Sequence, residues 1–301
     1  MKHSILIIDD EAQGATNLAK VFKKSRFEYM VTTATSEVEI SDKIENIYYN
    51  IAIVDLRMDA FSINGFDIIN KIIDVNPFAK IIIMSAYLPE FTDELAAIMK
   101  SGKVEGIVSK DKFDIFKDKI LTISDKIVKE FEDNPLVNQK ALESLYADAK
   151  NESDSYKKGM KFEQFVSVLF SQMGFNHIIK RFKDQSLNEV DLIIRNEIDD
   201  NFFQKFKPYI LVECKNTNED LDKNQFIQFR SKLEHAASMA NLGVIITTKS
   251  IKHTTYTEAV RSSGQPHKII FITNAEIKRL IYSNDSLYSF KGMIDEQIKD
   301  N

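Results

Sequence analysis

Cysteine is almost missing from this chain of 301 residues: Cys214 is the only one. An intramolecular disulfide is therefore excluded, and the usage fits a reducing cytosol, so a cytoplasmic protein is expected. Histidine is sparse as well. His3, His177, His235, His253 and His267 show no Cys/His spacing of the metal-binding kind. No apolar run approaches the ~20 residues that a membrane helix needs. Met1-Lys2-His3 leads straight into a short apolar strand, too short for a signal peptide, so no membrane association is expected. There is no large excess of one charge. The net charge is −5 overall, −4 over residues 1–131 and −1 over 132–301. Such a balance predicts only modest non-specific affinity for nucleic acid. Internal repeats and low-complexity tracts are absent.

What is present falls into two parts. In the first, near-continuous apolar runs end in chemically active residues. Ile5 to Ile8 leads into Asp9 and Asp10, and Ile51 to Val54 into Asp55. Lys80 to Met84 leads into Ser85, and Gly106 to Ser109 into Lys110. Unbroken apolar strands predict a parallel sheet covered by helices on both faces. Functional groups then gather beyond the carboxyl ends of the strands. Three carboxylates there repel one another, each pair at ~4 Å by about 4 kcal/mol at an effective dielectric of 20. A bound Mg²⁺ held by Asp9, Asp10 and Asp55 would relieve that.

These five strand-end groups, in this order, make residues 1–131 resemble the receiver domain of two-component response regulators, with a doubly wound, flavodoxin-like, five-stranded parallel sheet. The resemblance implies Asp55 as phosphoryl acceptor and further metal ligand, Lys110 as partner of the phosphoryl oxygens and Ser85 as their hydroxyl donor. It also implies a separate histidine kinase or other phosphoryl donor. Three features depart from the family. Asp111 follows Lys110 in place of proline, Ile107 stands where a switch aromatic is expected, and the loop from Asp55 to Gly65 is about two residues long beyond the usual. Tyr87, two residues past Ser85, is the aromatic available to take over the switch role.

The second part centres on Asp191, in Asn188-Glu189-Val190-Asp191-Leu192-Ile193-Ile194, and on Glu213 and Lys215, in Tyr209-Ile210-Leu211-Val212-Glu213-Cys214-Lys215. Both stretches read as strands. Side chains alternate along a strand, so Glu213 and Lys215 share a face and Cys214 points to the other, as a core residue rather than a nucleophile. Two carboxylates beside an amine form a site for a hard divalent cation. A helix precedes them, with Phe162, Phe165, Val166, Leu169, Phe170 and Met173 at helical spacing, Glu163 at the edge of that face and Gly174 as its cap. A second helix follows, with Phe226, Phe229, Leu233, Ala236 and Ala240 on one face, then an apolar strand from Gly243 to Lys249.

Helix, three strands, helix, strand is an order that resembles the PD-(D/E)xK nuclease superfamily, and over residues 156–275 its Mrr-type restriction-endonuclease domains. The likeness rests on Val190-Asp191-Leu192-Ile193, Cys214-Lys215 and Thr247-Thr248. It implies an α/β domain with a mixed sheet, Asp191 and Glu213 as metal ligands, Lys215 as catalytic lysine and Glu163 as an assisting carboxylate. Mg²⁺ is the expected ion, with Mn²⁺ as a substitute in this site, and DNA the expected substrate, RNA being left open. Glu213 replaces a glutamine common in Mrr-type domains, and Lys183 to Glu189 replace a glycine-rich loop. Lys157, Lys158, Lys161, Lys180, Arg181, Lys183, Lys249 and Lys252 flank the motif and are candidates for contact with a nucleic-acid backbone.

The expected division is a receiver over 1–131, a helical linker over 132–155, the nuclease-like domain over 156–283 and a tail over 284–301. Pro135 can open the linker helix behind Asn134 as N-cap. Val137, Ala141, Leu145 and Ala149 line one side of it, broadened by Leu142 and Tyr146. That stripe either packs on a domain or pairs two copies into a homodimer. The functional expectation is a phosphorylation-regulated, Mg²⁺-dependent nuclease. The alternative is a catalytically silent nuclease-like module that binds nucleic acid or a protein under receiver control.

Overall fold

The computed structural model describes residues 3–25, 27–47, 49–76, 78–133, 135–183, 189–262 and 264–299. The chain divides into two compact units, Met1–Pro135 and Leu136–Asn301.

The first unit alternates β1 (His3–Ile8), α1 (Ala12–Phe22), β2 (Tyr29–Ala34), α2 (Glu37–Asn46), β3 (Ile51–Asp55), α3 (Gly65–Val75), β4 (Lys80–Ser85), α4 (Thr92–Met99), β5 (Val104–Ser109) and α5 (Phe113–Asp133). The strands pair in parallel in the order β2-β1-β3-β4-β5. The apolar runs are continuous because both faces of the sheet are covered. Leu6, Ile8, Ala52, Val54, Ile81 and Ile83 pack with Ile40, Ile44, Ile68 and Ile72 of α2 and α3. Ile5, Ile7, Ile51, Ile53, Ile82 and Met84 pack with Leu18, Phe116, Ile120 and Ile127 of α1 and α5.

The second unit runs α6 (Pro135–Asn151), α7 (Ser155–Gln172), β6 (Ile178–Lys183), β7 (Glu189–Arg195), β8 (Tyr209–Lys215), α8 (Lys223–His235), β9 (Ala240–Thr247), α9 (His253–Arg261), β10 (Lys268–Ile272), α10 (Asn274–Ile281) and α11 (Ser286–Lys299). Its sheet order is β10-β9-β8-β7-β6, antiparallel from β6 to β8 and parallel from β8 to β10. This is the mixed sheet expected. The face of β8 that carries Leu211 packs on Phe226, Phe229 and Leu233 of α8. Gly243 in β9 lets α8 approach: a Cβ there would meet Phe229 at 2.8 Å and Leu233 at 2.9 Å.

Three expectations change. The α8 stripe does not extend to Ala240, because the helix ends at His235 and Ala240 opens β9. The helix expected as a linker folds with the second unit. Leu142, Tyr146 and Ala149 are buried, the Tyr146 ring lies 5.0 Å from that of Phe165, and its hydroxyl donates to Asn274 Oδ1 at 2.7 Å. Burying Leu142 alone is worth about 1.5–3 kcal/mol. The side of α6 that packs within the unit is thus the one carrying Leu142, Tyr146 and Ala149, while Ala141 and Leu145 of the stripe are half-buried. Asn134 and the side chain of Val137 lie outside the described residues. The segment expected as a tail is α11, which buries Phe290, Met293 and Ile294.

Gly65 fixes the approach of α3 to the end of β3. A Cβ at this position would lie 2.3 Å from the Asp55 carbonyl oxygen and 2.5 Å from Leu56 Cα, both backbone atoms that cannot step aside. Gly65→Ala should destabilise the first unit by about 1–3 kcal/mol in denaturant unfolding. At Gly159, inside α7, an added Cβ meets nothing within 4 Å, so Gly159→Ala should be neutral or stabilising by up to ~1 kcal/mol. Equal stability of the two variants would refute the close approach.

Candidate functional site

At the carboxyl edge of the first sheet, Asp9 and Asp10 follow β1, Asp55 and Ser85 are the last residues of β3 and β4, and Lys110 follows β5. Ligand oxygens of Asp9, Asp10 and Asp55 all lie within 4.8 Å of one another. Lys110 Nζ sits among them, 2.9 Å from Asp9 Oδ2 and 2.6 Å from Asp55 Oδ2. Burial pushes the Asp55 carboxyl up to about 6; Lys110 opposes that and Asp9 adds to it. The Lys110 amine loses solvation by burial, but Asp55 and Asp9 outweigh this and raise it. Backbone groups orient the acids. Asp9 Oδ1 accepts from Glu11 N at 3.0 Å, Asp55 Oδ1 from Arg57 N at 3.2 Å, and Asp10 Oδ2 from Ala60 N at 3.2 Å. The last bond ties the loop between Asp55 and Gly65 to the end of β1.

Three clustered hard oxygen donors with crowded negative charge are the donor set Mg²⁺ prefers. Ser85 is fully buried, and its Oγ accepts from Tyr87 N at 3.0 Å. Tyr87 itself is 47% exposed. The Arg57 guanidinium lies over its ring, 4.1 Å from the centroid, and also pairs with Asp59 at 3.0 Å. Arg57 was not singled out in the sequence; its place two residues beyond a strand-end aspartate was the available signal.

In the second unit the two strands of the motif separate at the site. Pairing of β7 with β8 ends at Leu192↔Val212. Just beyond, Cys214 N donates not to backbone but to Asp191 Oδ2, at 2.7 Å. Glu213 is only 6% exposed and is held between two lysines. Lys215 Nζ lies 2.7 Å from its Oε1 and Lys232 Nζ 3.0 Å from its Oε2. Burial and the Glu213 charge push the Asp191 carboxyl up to about 6, Glu163 contributes in the same direction, and the Cys214 N–H and Lys215 oppose. The Lys215 amine is raised by Glu213 and Asp191 against its burial. Cys214 was expected in the core but is only half-buried; its thiol is pushed up by burial and by Asp191, Glu163 and Glu213, which keeps it protonated. Glu163 of α7 is thus within electrostatic reach of Asp191. Two carboxylates on adjoining strands, buried Glu213 held by lysines and half-buried Asp191 raised, fit a divalent cation that would bring the missing positive charge.

The flanking cations differ in their surroundings. Lys161 is paired with Glu152. Lys158 Nζ donates to Asn218 Oδ1 at 3.3 Å, three residues beyond Lys215. Lys157 and Lys252 are exposed, Lys180 and Lys249 half-buried. The side chains of Arg181 and Lys183, and residues 184–188 of the loop before Asp191, lie outside the described residues. In the second unit two further residues were missed. Lys232 falls three positions after Phe229 and one before Leu233, and a cation inside an apolar stripe was its signal. Asn216 follows Lys215 directly, and nothing in the sequence marks it.

Residues 5–120 match the family model of the response regulator receiver domain, and residues 156–281 match a restriction endonuclease model of the Mrr type. Among solved structures, a response regulator receiver domain protein from Methanospirillum hungatei is 20% identical, covering 43% of this chain and 99% of its own, with a TM-score of 0.36. A receiver domain protein from Clostridium thermocellum is 20% identical over 43% of this chain and 97% of its own, TM-score 0.37. The N-terminal domain of a response regulator/sensory box/GGDEF protein from Carboxydothermus hydrogenoformans is 18% identical over 44% and 98%, TM-score 0.36. No curated protein matches the chain. Among the described residues, no helix is long and apolar enough to cross a membrane.

Because Glu213 is buried between two lysines, Lys232→Met should leave Oε2 without that partner and cost about 1–3 kcal/mol. The double variant Lys215→Met/Lys232→Met should cost more than the sum of the singles. Additive losses in denaturant unfolding would show that the two lysines do not share Glu213.

Proposed function

We propose that this chain, which joins a response regulator receiver domain to a restriction endonuclease domain, is a Mg²⁺-dependent nuclease that hydrolyses DNA under the control of aspartyl phosphorylation. The observation that carries the reading is the set Asp191, Glu213 and Lys215 at the point where β7 and β8 separate, with Glu213 buried, Asp191 half-buried and the amine 2.7 Å from Glu213. A silent binding module would not need a buried glutamate held by two lysines beside a second carboxylate.

In this reading Asp191 and Glu213 hold the cation. Once bound, a divalent ion supplies a polarising charge at a phosphoryl oxygen and a more acidic water. The chain's own groups do the rest. The Cys214 N–H orients the Asp191 carboxylate. Lys232 fixes one oxygen of Glu213, so the other faces Lys215. Lys215 places a positive charge where the phosphodiester gains negative charge. Glu163 adds a carboxylate on the α7 side, suited to orienting water. Lys157, Lys158, Lys249 and Lys252 are the described cations available to the DNA backbone.

In the receiver, an Asp55 oxygen attacks the phosphorus of a separate donor, a histidine kinase or a small phosphodonor, and the bond from phosphorus to the donor breaks. Lys110 moves from its carboxylate pair to the added phosphoryl oxygens, and Ser85 Oγ turns from Tyr87 N towards them. The new charge and acceptor oxygens bias the surface around Tyr87.

Asp191→Ala, Glu213→Ala and Lys215→Ala should each lower plasmid cleavage roughly 10²-fold or more. The carboxylate variants should also lose Mn²⁺ binding at the second site in a titration, and Lys215→Ala should keep it. A folded Lys215→Ala protein that cuts at the wild-type rate would remove the catalytic assignment.

A small phosphodonor with Mg²⁺ should add one phosphoryl group, read by intact mass, and Asp55→Asn should take none. Phosphorylation of the wild type should change its cleavage rate, and Asp191→Ala should be phosphorylated normally. Labelling of Asp55→Asn at the wild-type yield would dismiss Asp55 as the acceptor.

A further inference from the structure

Asn216 makes three side-chain hydrogen bonds to three elements that are far apart in sequence. Its Nδ2 donates one proton to the Ala149 carbonyl near the end of α6, at 2.8 Å, and the other to the Lys158 carbonyl in α7, at 3.1 Å. Its Oδ1 accepts from Thr248 Oγ1 at 3.1 Å. Both donors and one of the two acceptor lone pairs of the amide are engaged, and its orientation is unique. Turned over, it would set an oxygen against two carbonyl oxygens. The Ala149 carbonyl is one of the last four of α6, which the helix itself leaves without a donor. Thr248, buried at the end of β9, also donates its backbone N–H to the Lys215 carbonyl at 3.1 Å. Asn216 and Thr248 therefore bracket Lys215, and among the described residues the helices bonded to the Asn216 side chain are α6 and α7. Helix α6 begins at Pro135.

We propose that Asn216 is a positioning residue through which α6 sets the placement of Lys215, so that a change delivered to α6 reaches the catalytic strand. The proposal rests on the nuclease reading for its effect on cleavage, but the tie from α6 to Asn216 to Thr248 can be measured without it. Asn216 directs its side-chain bonds to protein groups of α6, α7 and the residue after β9. It acts by holding the Lys215 main chain against the end of β9 while reporting the position of the last turn of α6.

The test combines residue-resolved amide hydrogen exchange with cleavage kinetics on the full chain. Asn216→Asp keeps the size and the acceptor for Thr248 but replaces the two donated protons with an oxygen facing the Ala149 and Lys158 carbonyls. Exchange should rise at least tenfold at the last turn of α6 and at the Thr248 amide. Tyr146→Phe removes only the bond from α6 to Asn274. In the wild-type background it should raise exchange at Thr248, and in the Asn216→Asp background it should add nothing there. For cleavage, Asn216→Asp should lower kcat at least tenfold with little change in KM, and Thr248→Ser, which keeps the hydroxyl, should stay near the wild type while Thr248→Val falls. Unchanged exchange at Thr248 in Asn216→Asp, or an additive effect of Tyr146→Phe in the double variant, overturns the proposal. So does an unchanged kcat in an Asn216→Asp protein whose α6 exchange has risen. A wild-type protein that cuts no DNA counts against the nuclease reading, and the exchange results then decide the Asn216 tie alone.

Discussion

Negative charge at buried strand ends is the constraint on which both units are organised. Carboxylates withdrawn from water lose hydration, and crowding adds repulsion. In the first unit a single amine, Lys110, bridges Asp9 and Asp55. In the second, Lys215 and Lys232 hold the two oxygens of Glu213, while Asp191 leans on the N–H of Cys214. In both places the compensation is incomplete, since Asp55 and Asp191 are each raised to about 6. The sheets, the helices that cover them and the tight contact at Gly65 hold these groups where they would not settle by themselves. The residual imbalance is what a divalent cation suits.

The two units solve the placement problem by different means. In the parallel sheet the functional groups stand beyond the ends of adjacent strands, and their spacing follows from strand order. In the mixed sheet the site lies where an antiparallel pair parts. The Asp191 side chain substitutes for the backbone acceptor that β7 no longer offers to Cys214. That substitution fixes the carboxylate against the main chain of the strand carrying Glu213 and Lys215.

Much of this was legible in the sequence because it rests on period and on strand ends. Continuous runs such as Ile51 to Val54 announce a doubly covered strand, and alternation in Glu213-Cys214-Lys215 places the acid and the amine together. Less was legible where tertiary packing overrides a local pattern. The spacing of Ala236 and Ala240 imitates a helical face although the helix stops at His235, since a period cannot tell a last turn from the strand beyond it. The stripe on α6 reads equally well as a docking face or a core face; only the rings of Phe162 and Phe165 against Tyr146 decide it. Lys232 and Asn216 act through contacts 19 and 67 residues away in sequence. Residues of that kind carry no local signature.

The packing of α6 also sets a lower limit on the length of the second unit. A fragment beginning at Ser155, just before the restriction endonuclease match that opens at residue 156, would lose the Tyr146 ring from beside Phe162 and Phe165 and the Ala149 carbonyl from Asn216 Nδ2. Uncovering those rings and leaving that donor unpaired both cost stability. The span recognisable by family and the span that packs together are therefore different lengths, and the matched span is the shorter.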